Sequence, residues 1–281
     1  MNPLLLSAPE DTVTIQEISD FLVALALTQP RIQAVFITLP MLSRKQIPGM
    51  VRITISVVLG VMVVPILMDG PGATELAALP LATLAFKEAF IGFTIGYLVS
   101  LVFWAFEALG FLIDNQRGAS VASTLNPLTG NDTSPLGMLF NQAFIVFFFI
   151  SGGFLLLLGL IYDSFTLWNV YSWTPTLRSE TIPVLLKQLD RLASMGLLLA
   201  APAMIAMFLS EVGLALISRF VPQLQVFFLA MPIKSAIAIL VLLLYVTTLF
   251  EYGMQYVDEL DDILPMLDMQ WRTGAPGSVT P

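Results

Sequence analysis

The candidate acid–base groups of this chain are its 20 aspartates and glutamates, because it contains no histidine and no cysteine. That absence removes zinc sites of the nitrogen/sulfur type, thiol nucleophiles, serine–histidine triads, haem held through histidine and iron–sulfur clusters. Three glutamates, Glu88, Glu107 and Glu211, lie inside or beside apolar stretches. A carboxylate at such a place can relay protons, but the commoner use is to pair with a base or cap a helix. Tyr162-Asp163 supplies one half of the aspartate pair of an intramembrane protease. The Gly-x-Gly-Asp half is missing, and Gly130-Asn131-Asp132 is a poor substitute. No phosphate-cradling glycine loop is present. These residues predict no enzyme, no metal site and no cofactor.

The densest run of interior polar groups lies between 107 and 135: Glu107, Gly110, Asp114-Asn115-Gln116-Arg117-Gly118, Asn126-Pro127 and Gly130-Asn131-Asp132. Its glycines and Asn-Pro permit turns and close backbone approach. Two readings stand on composition: a solvent loop between helices, or irregular backbone lining an aqueous path at membrane depth. A second pattern, Glu88, Gly92, Gly96 and Ser100, repeats every four residues along one helix face. Gly92-Phe-Thr-Ile-Gly96 is a small-xxx-small stripe that lets backbones pack closely, within a bundle or between subunits.

The elements that would carry these groups are apolar. Hydrophobic residues make up 57% of the 281 and charged ones 11%, against about 25% charged in an ordinary globular chain. Mean hydropathy is +0.87. Disorder is excluded, 32 charged side chains disfavour a soluble globule, and an all-α integral membrane-type protein is the expected class. The net charge of −8, with only Arg44-Lys45 adjacent among the bases, argues against nucleic acid. Residues 1–20 carry four acids and no base, so they form an acidic tail and not a cleavable leader.

Six apolar regions follow, at about 21–39, 50–68, 76–106, 136–162, 192–218 and 220–250. The charge-free runs within them are uneven: 30 residues for Thr133–Tyr162, but 16 each for Ile53–Met68 and Ser235–Phe250. Sixteen helical residues reach about 24 Å, against a hydrocarbon core of about 30 Å. Pro30, Pro65, Pro202, Pro222 and Pro232 interrupt the regions, and Arg31, Arg52, Glu88, Glu107, Glu211, Arg219 and Lys234 lie within or beside them. Each such charge costs roughly 2.5–3.5 kcal/mol at a helix centre on insertion scales. About half the segments therefore look better suited to kinked, proline-broken helices packed on protein than to lipid-facing spans. Bases divide five against five across an assumed six spans, so charge gives no orientation. Residues 251–281 begin with six acids among helically spaced apolar residues, which suggests an amphipathic acidic helix and a tail.

Read in order, several motifs carry a family resemblance. They are Pro30-Arg31, Pro40, Arg52, Pro65, Glu88, Gly92, Gly96 and the run Gly110-Phe111-Leu-Ile-Asp114-Asn115-Gln116-Arg117-Gly118. Pro127, Ser134, Phe147-Phe-Phe-Ile-Ser-Gly152-Gly153, Ser164-Phe165 and Pro202 follow. Last comes Arg219-Phe-Val-Pro222-Gln223-Leu-Gln-Val-Phe227 with Pro232-Ile-Lys234. From about Phe21 to Phe250 the chain resembles the T/R-type export-gate proteins of type III secretion systems. Gly152-Gly153 stands where flagellar members usually have Gly-His, and the Ser164-Phe165 to Trp168 spacing looks more like the injectisome branch.

The resemblance implies a non-enzymatic part of a helical, multi-subunit export gate in the bacterial inner membrane. One copy would join R-type and S-type subunits around a channel for unfolded secreted polypeptides, near the U-type switch protein and the large V-type export subunit. It implies an irregular plug at about 110–127, carried by Gly110, Phe111, Asp114, Asn115, Gln116, Arg117, Gly118 and Pro127. It also implies subunit packing through Glu88, Gly92, Gly96, Arg219, Pro222, Gln223, Phe227 and Lys234. The reading from another class is a stand-alone, proton-coupled carrier of small molecules in membrane lipid, using Glu88 and Glu211.

Overall fold

The computed structural model describes residues 15–43, 46–68, 78–118, 134–171, 181–220, 226–259, 265 and 268. Among them are seven α-helices and no strand: α1 (Ile15–Thr38), α2 (Gly49–Met68), α3 (Ala78–Arg117), α4 (Pro135–Ile150), α5 (Gly153–Leu167), α6 (Thr181–Phe220) and α7 (Val226–Asp258). A 3-10 turn, Pro40–Leu42, follows α1.

The helices outrun the charge-free segments. α3 and α6 have 40 residues each and α7 has 33, so charges lie inside helices where the sequence suggested ends. Five helices are long and apolar enough to cross a membrane, and the pair α4–α5 makes a sixth candidate if taken as one broken span. Pro30, Pro65, Pro202 and Pro232 sit within continuous helices. A proline removes one N–H from the ladder, yet these helices run through it. The 74° bend comes at Ser151-Gly152, inside the longest charge-free run. Gly152 has φ +87°, a left-handed conformation that any other residue would strain to adopt.

Both ends are described in part. α1 starts at Ile15, with Glu17 in its first turn, where a negative charge suits the helix dipole. The acidic stretch after 250 begins as a continuation of α7: Glu251 and Asp258 are exposed on that helix. Residues 260–264 and most of the remaining tail lie outside the described residues.

The chain divides into two compact units, Met1–Gly96 with Ile161–Pro175, and Tyr97–Leu160 with Thr176–Pro281. In the first, α1 and α2 form a hairpin. The buried face of α2 is Arg52, Ser56, Gly60, Val63, Val64 and Leu67, and small residues let α1 approach. Gly60 lies against Leu25, Thr28 and Gln29, and the Ser56 hydroxyl donates to Gln29 Oε1 at 2.6 Å.

The second unit has an aromatic core. Phe140, Phe144 and Phe148 recur on the buried face of α4. Phe106 stacks on Phe144 with centroids 4.2 Å apart, and Phe250 of α7 stacks on Phe106 at 5.6 Å. Phe103 meets Phe144 edge-on at 5.2 Å, the geometry the ring quadrupoles favour. Gly253 has no side chain because Phe144 and Phe106 occupy its space.

Candidate functional site

In the first unit, Arg31 and Glu88 have no solvent exposure. Arg31 Nε donates to Glu88 Oε2 at 2.6 Å, Nη1 to Ser164 Oγ at 3.0 Å and Nη2 to the Trp168 carbonyl at 2.9 Å. Phe165 lies under the guanidinium, 4.0 Å from carbon to ring centre. Lys87 Nζ stands 3.0 Å from Glu88 Oε1 and also donates to the Asn169 and Val170 carbonyls. One carboxylate thus holds two cations, and the guanidinium joins α1, α3 and the end of α5. The small-residue stripe makes the approach possible. A methyl at Gly92 would fall on the Arg31 backbone, and one at Gly96 on Val35 and Thr38. Glu88, Gly92 and Gly96 therefore face α1 of the same chain. Glu88 is committed to an internal ion pair, which leaves the carrier reading without its buried relay.

In the second unit the polar run around 110–118 forms the last turns of α3 and not irregular backbone. Asp114, Gln116 and Arg117 each find a partner that helical geometry allows. Gly110 packs on the backbone of Leu136 and Gly137, so α3 and the start of α4 touch main chain to main chain. Asp114 is buried and caps α4: its Oδ2 accepts from Ser134 Oγ at 2.5 Å and from the Leu136 amide at 3.0 Å. Ser134 Oγ in turn accepts from the Gly137 amide at 2.9 Å, an N-cap with proline at the first helical position. Arg117 pairs with Asp114 Oδ1 at 2.7 Å.

Gln116 Nε2 donates to the Met204 carbonyl of α6 at 2.9 Å. Lys234 Nζ, from α7, donates to the Gln116 carbonyl at 3.0 Å and stands 3.4 Å from Glu211 Oε2 of α6. A cation on the last carbonyls of a helix is favourable for the dipole as well as the hydrogen bond. Gly118, at φ +88°, ends the helix, and its amide bonds to the Asn115 carbonyl.

Thus Asp114, Gln116, Arg117 and Lys234, two sets in the sequence reading, belong to one polar cluster with Glu211. Phe111 and Asn115 are not in it. With Trp104 and Glu107 they form an exposed stripe at helical spacing on α3; Glu107 accepts from Asn141 at 3.1 Å. Arg219 is exposed at the end of α6. Phe227 lies in the first turn of α7, while Pro127, Pro222 and Gln223 lie outside the described residues. Sequence reading missed Lys87, Ser134 as a cap, Asn141 and the Met204 carbonyl. Lys87 was signalled by its adjacency to Glu88, and Ser134 by the proline after it. A backbone acceptor such as Met204 leaves no mark in a sequence.

Five long apolar helices, a broken sixth candidate and polar side chains used to join helices define a multi-pass helical membrane protein. Residues 22–260 match the family of bacterial export proteins, family 1. The chain is 40% identical over 252 residues to Yop proteins translocation protein T of Yersinia pestis, covering 88% of this chain and 96% of that one. It is 35% identical over 231 residues to the surface presentation of antigens protein SpaR of Salmonella typhimurium, covering 82% and 85%. It is 29% identical over 234 residues to the flagellar biosynthetic protein FliR of Bacillus subtilis, covering 83% and 90%. The chain belongs to this family of bacterial export proteins. It is a type III secretion export-gate protein, nearer in sequence to the injectisome relatives than to the flagellar ones, as its Gly152-Gly153 suggested.

Proposed function

We propose that the chain is the T-type subunit of an export gate in the bacterial inner membrane. One copy joins R-type and S-type subunits around a channel for unfolded secreted polypeptides, with the U-type switch protein and the large V-type subunit nearby. It contributes no catalysis of its own. The observation that carries this reading is the cluster at the carboxyl end of α3. Asp114, Gln116 and Lys234 fasten that end to α4, α6 and α7. A segment that closes a channel needs such a fixed root, and the plug expected at about 110–127 starts within this cluster. The exposed stripe with Phe111 and Asn115 then faces the conduit or a companion chain. Arg219, Pro222, Gln223 and Phe227 serve packing against companions.

The test is co-expression with the neighbouring export genes and measurement of the purified particle, with small-ion leak read in intact cells. The reading expects the chain in a particle several times its own 30.7 kDa, and a tight membrane. It expects the pair Asp114→Asn with Lys234→Met to keep the particle but let ions through. A solitary chain, or a tight membrane with normal secretion in that pair, would reject it.

A further inference from the structure

Between the first half of α6 and the end of α7, both in the second unit, runs a groove of about 460 Å³. That is the size of a small-molecule site, which spans about 300–1,000 Å³. Its floor is apolar, made by Met195, Leu198 and Leu199 of α6. Its rim carries one charge of each sign. Arg191 Nη2 donates to Glu259 Oε2, and the guanidinium lies over the Tyr256 ring, 4.9 Å from carbon to ring centre. The two charged side chains are 44% and 53% exposed, so both heads are open to a ligand. An exposed pair of this kind holds itself together weakly, at about 0–1 kcal/mol.

The depth of the groove follows from the sequence of its two helices. Both rank among the candidate spans. The charge-free run of α6, Leu192–Ser210, has 19 residues. It reaches about 28 Å, close to a hydrocarbon core of about 30 Å. Arg191 stands immediately before that run, and Glu251 immediately after the charge-free run of α7. The floor therefore lies in the hydrocarbon and the rim at headgroup level. Helical side chains tilt towards the amino terminus, which carries the Arg191 head outward. Tyr252, 57% exposed on the α7 wall, is a residue type that favours the membrane–water boundary.

The charges select the occupant. An apolar companion helix would desolvate both heads, at a cost its contacts with the floor must first overcome. A purely anionic lipid would set its phosphate beside the Glu259 carboxylate. A headgroup with a phosphate and an ammonium meets both signs, and an acyl chain beneath it covers the floor.

We propose that this groove binds a zwitterionic aminophospholipid. The phosphate takes the guanidinium of Arg191, the ammonium takes the carboxylate of Glu259, and an acyl chain lies on Met195 and Leu198. The site belongs to α6 and α7 of this chain and does not depend on the gate reading.

The test uses the full chain in whichever particle it purifies, in a neutral maltoside detergent, with bound lipid counted by native mass spectrometry. Phosphatidylethanolamine is the probe. Phosphatidylglycerol, which lacks the ammonium, and a diglucosyl diacylglycerol, which lacks both charges, are the comparisons. Wild type is expected to hold phosphatidylethanolamine about tenfold more tightly than phosphatidylglycerol, and the glycolipid most weakly. Arg191→Gln is expected to weaken both phospholipids about tenfold. Glu259→Gln is expected to bring phosphatidylethanolamine down to the level of phosphatidylglycerol, a loss of preference that a general loss of stability would not produce. Asp258→Asn, at an exposed acid outside the groove, is expected to change nothing. Ser194→Trp, which puts a ring in the groove mouth, is expected to displace the lipid. A wild-type particle without bound lipid would overturn the site, since a companion chain or residues 260–281 would then cover the groove. So would equal binding of the two phospholipids, a preference that survives Glu259→Gln, or full retention by Ser194→Trp. The two charge variants alter only an exposed pair and decide the matter alone if Ser194→Trp does not fold.

Discussion

The two ends of α3 solve different problems with the same chemistry. Near its start, Glu88 and Arg31 are sealed from water and tie α1, α3 and α5 through side chains. At its finish, Asp114 and Lys234 bind backbone groups, the amide of Leu136 and the carbonyl of Gln116, together with the side chains of Ser134, Arg117 and Glu211. Glu211, beside Lys234, is half exposed. A sealed pair is an all-or-nothing contact, because removing either partner strands the other charge. Caps and partly wet pairs are separable, each worth a small amount. The first arrangement suits a permanent joint, the second one that can be released by modest forces.

The largest expected effect tests the sealed joint. Glu88→Gln strands Arg31 and is expected to cost about 3–5 kcal/mol, read as a large drop in melting temperature in detergent. Arg31→Met together with Glu88→Leu is expected to recover most of that loss. A mild single variant, or a double variant worse than both singles, would remove the contrast between the two ends.

Close packing gives the next test. Gly92→Ala must push α1 backbone aside and is expected to cost about 1–3 kcal/mol, as overpacking does. Gly213→Ala, in α6 with nothing within 4 Å of the new methyl, is expected to gain up to about 1 kcal/mol from helix propensity. Melting of both variants checks the sign.

Asp114→Asn keeps the size but weakens the cap of α4, with an expected cost of about 0.5–2 kcal/mol. Faster hydrogen exchange at Leu136 and Gly137, without change in the first unit, would mark the loss as local. The smallest effect is expected for Glu211→Gln, a partly exposed partner worth about 0–1 kcal/mol that shrinks with added salt.

Much of this was legible in the sequence because it follows from apolar length and spacing. The all-α class and the apolar segments came from composition and apolar run length, and the Glu88–Gly92–Gly96 face from its four-residue spacing. The breaks did not. Prolines flagged them at Pro30, Pro65, Pro202 and Pro232, yet helix α4 gives way at Gly152, whose φ is positive. Asp114 through Arg117 read as a loop because their polarity was visible and their partners were not. Ser134, Met204 and Lys234 lie 20, 88 and 118 residues away from the groups they meet. A local pattern carries no trace of contacts at such separations.

The measurement that bears most directly on the account is ion leak in cells carrying the complete export assembly. Two variants are compared: Asp114→Asn with Lys234→Met, and Arg31→Met with Glu88→Leu. The account expects the first to leak while the assembly stays intact, and the second to stay tight. Equal tightness in both, or leak from the second alone, would contradict the claim that the carboxyl end of α3 is the root of the closure.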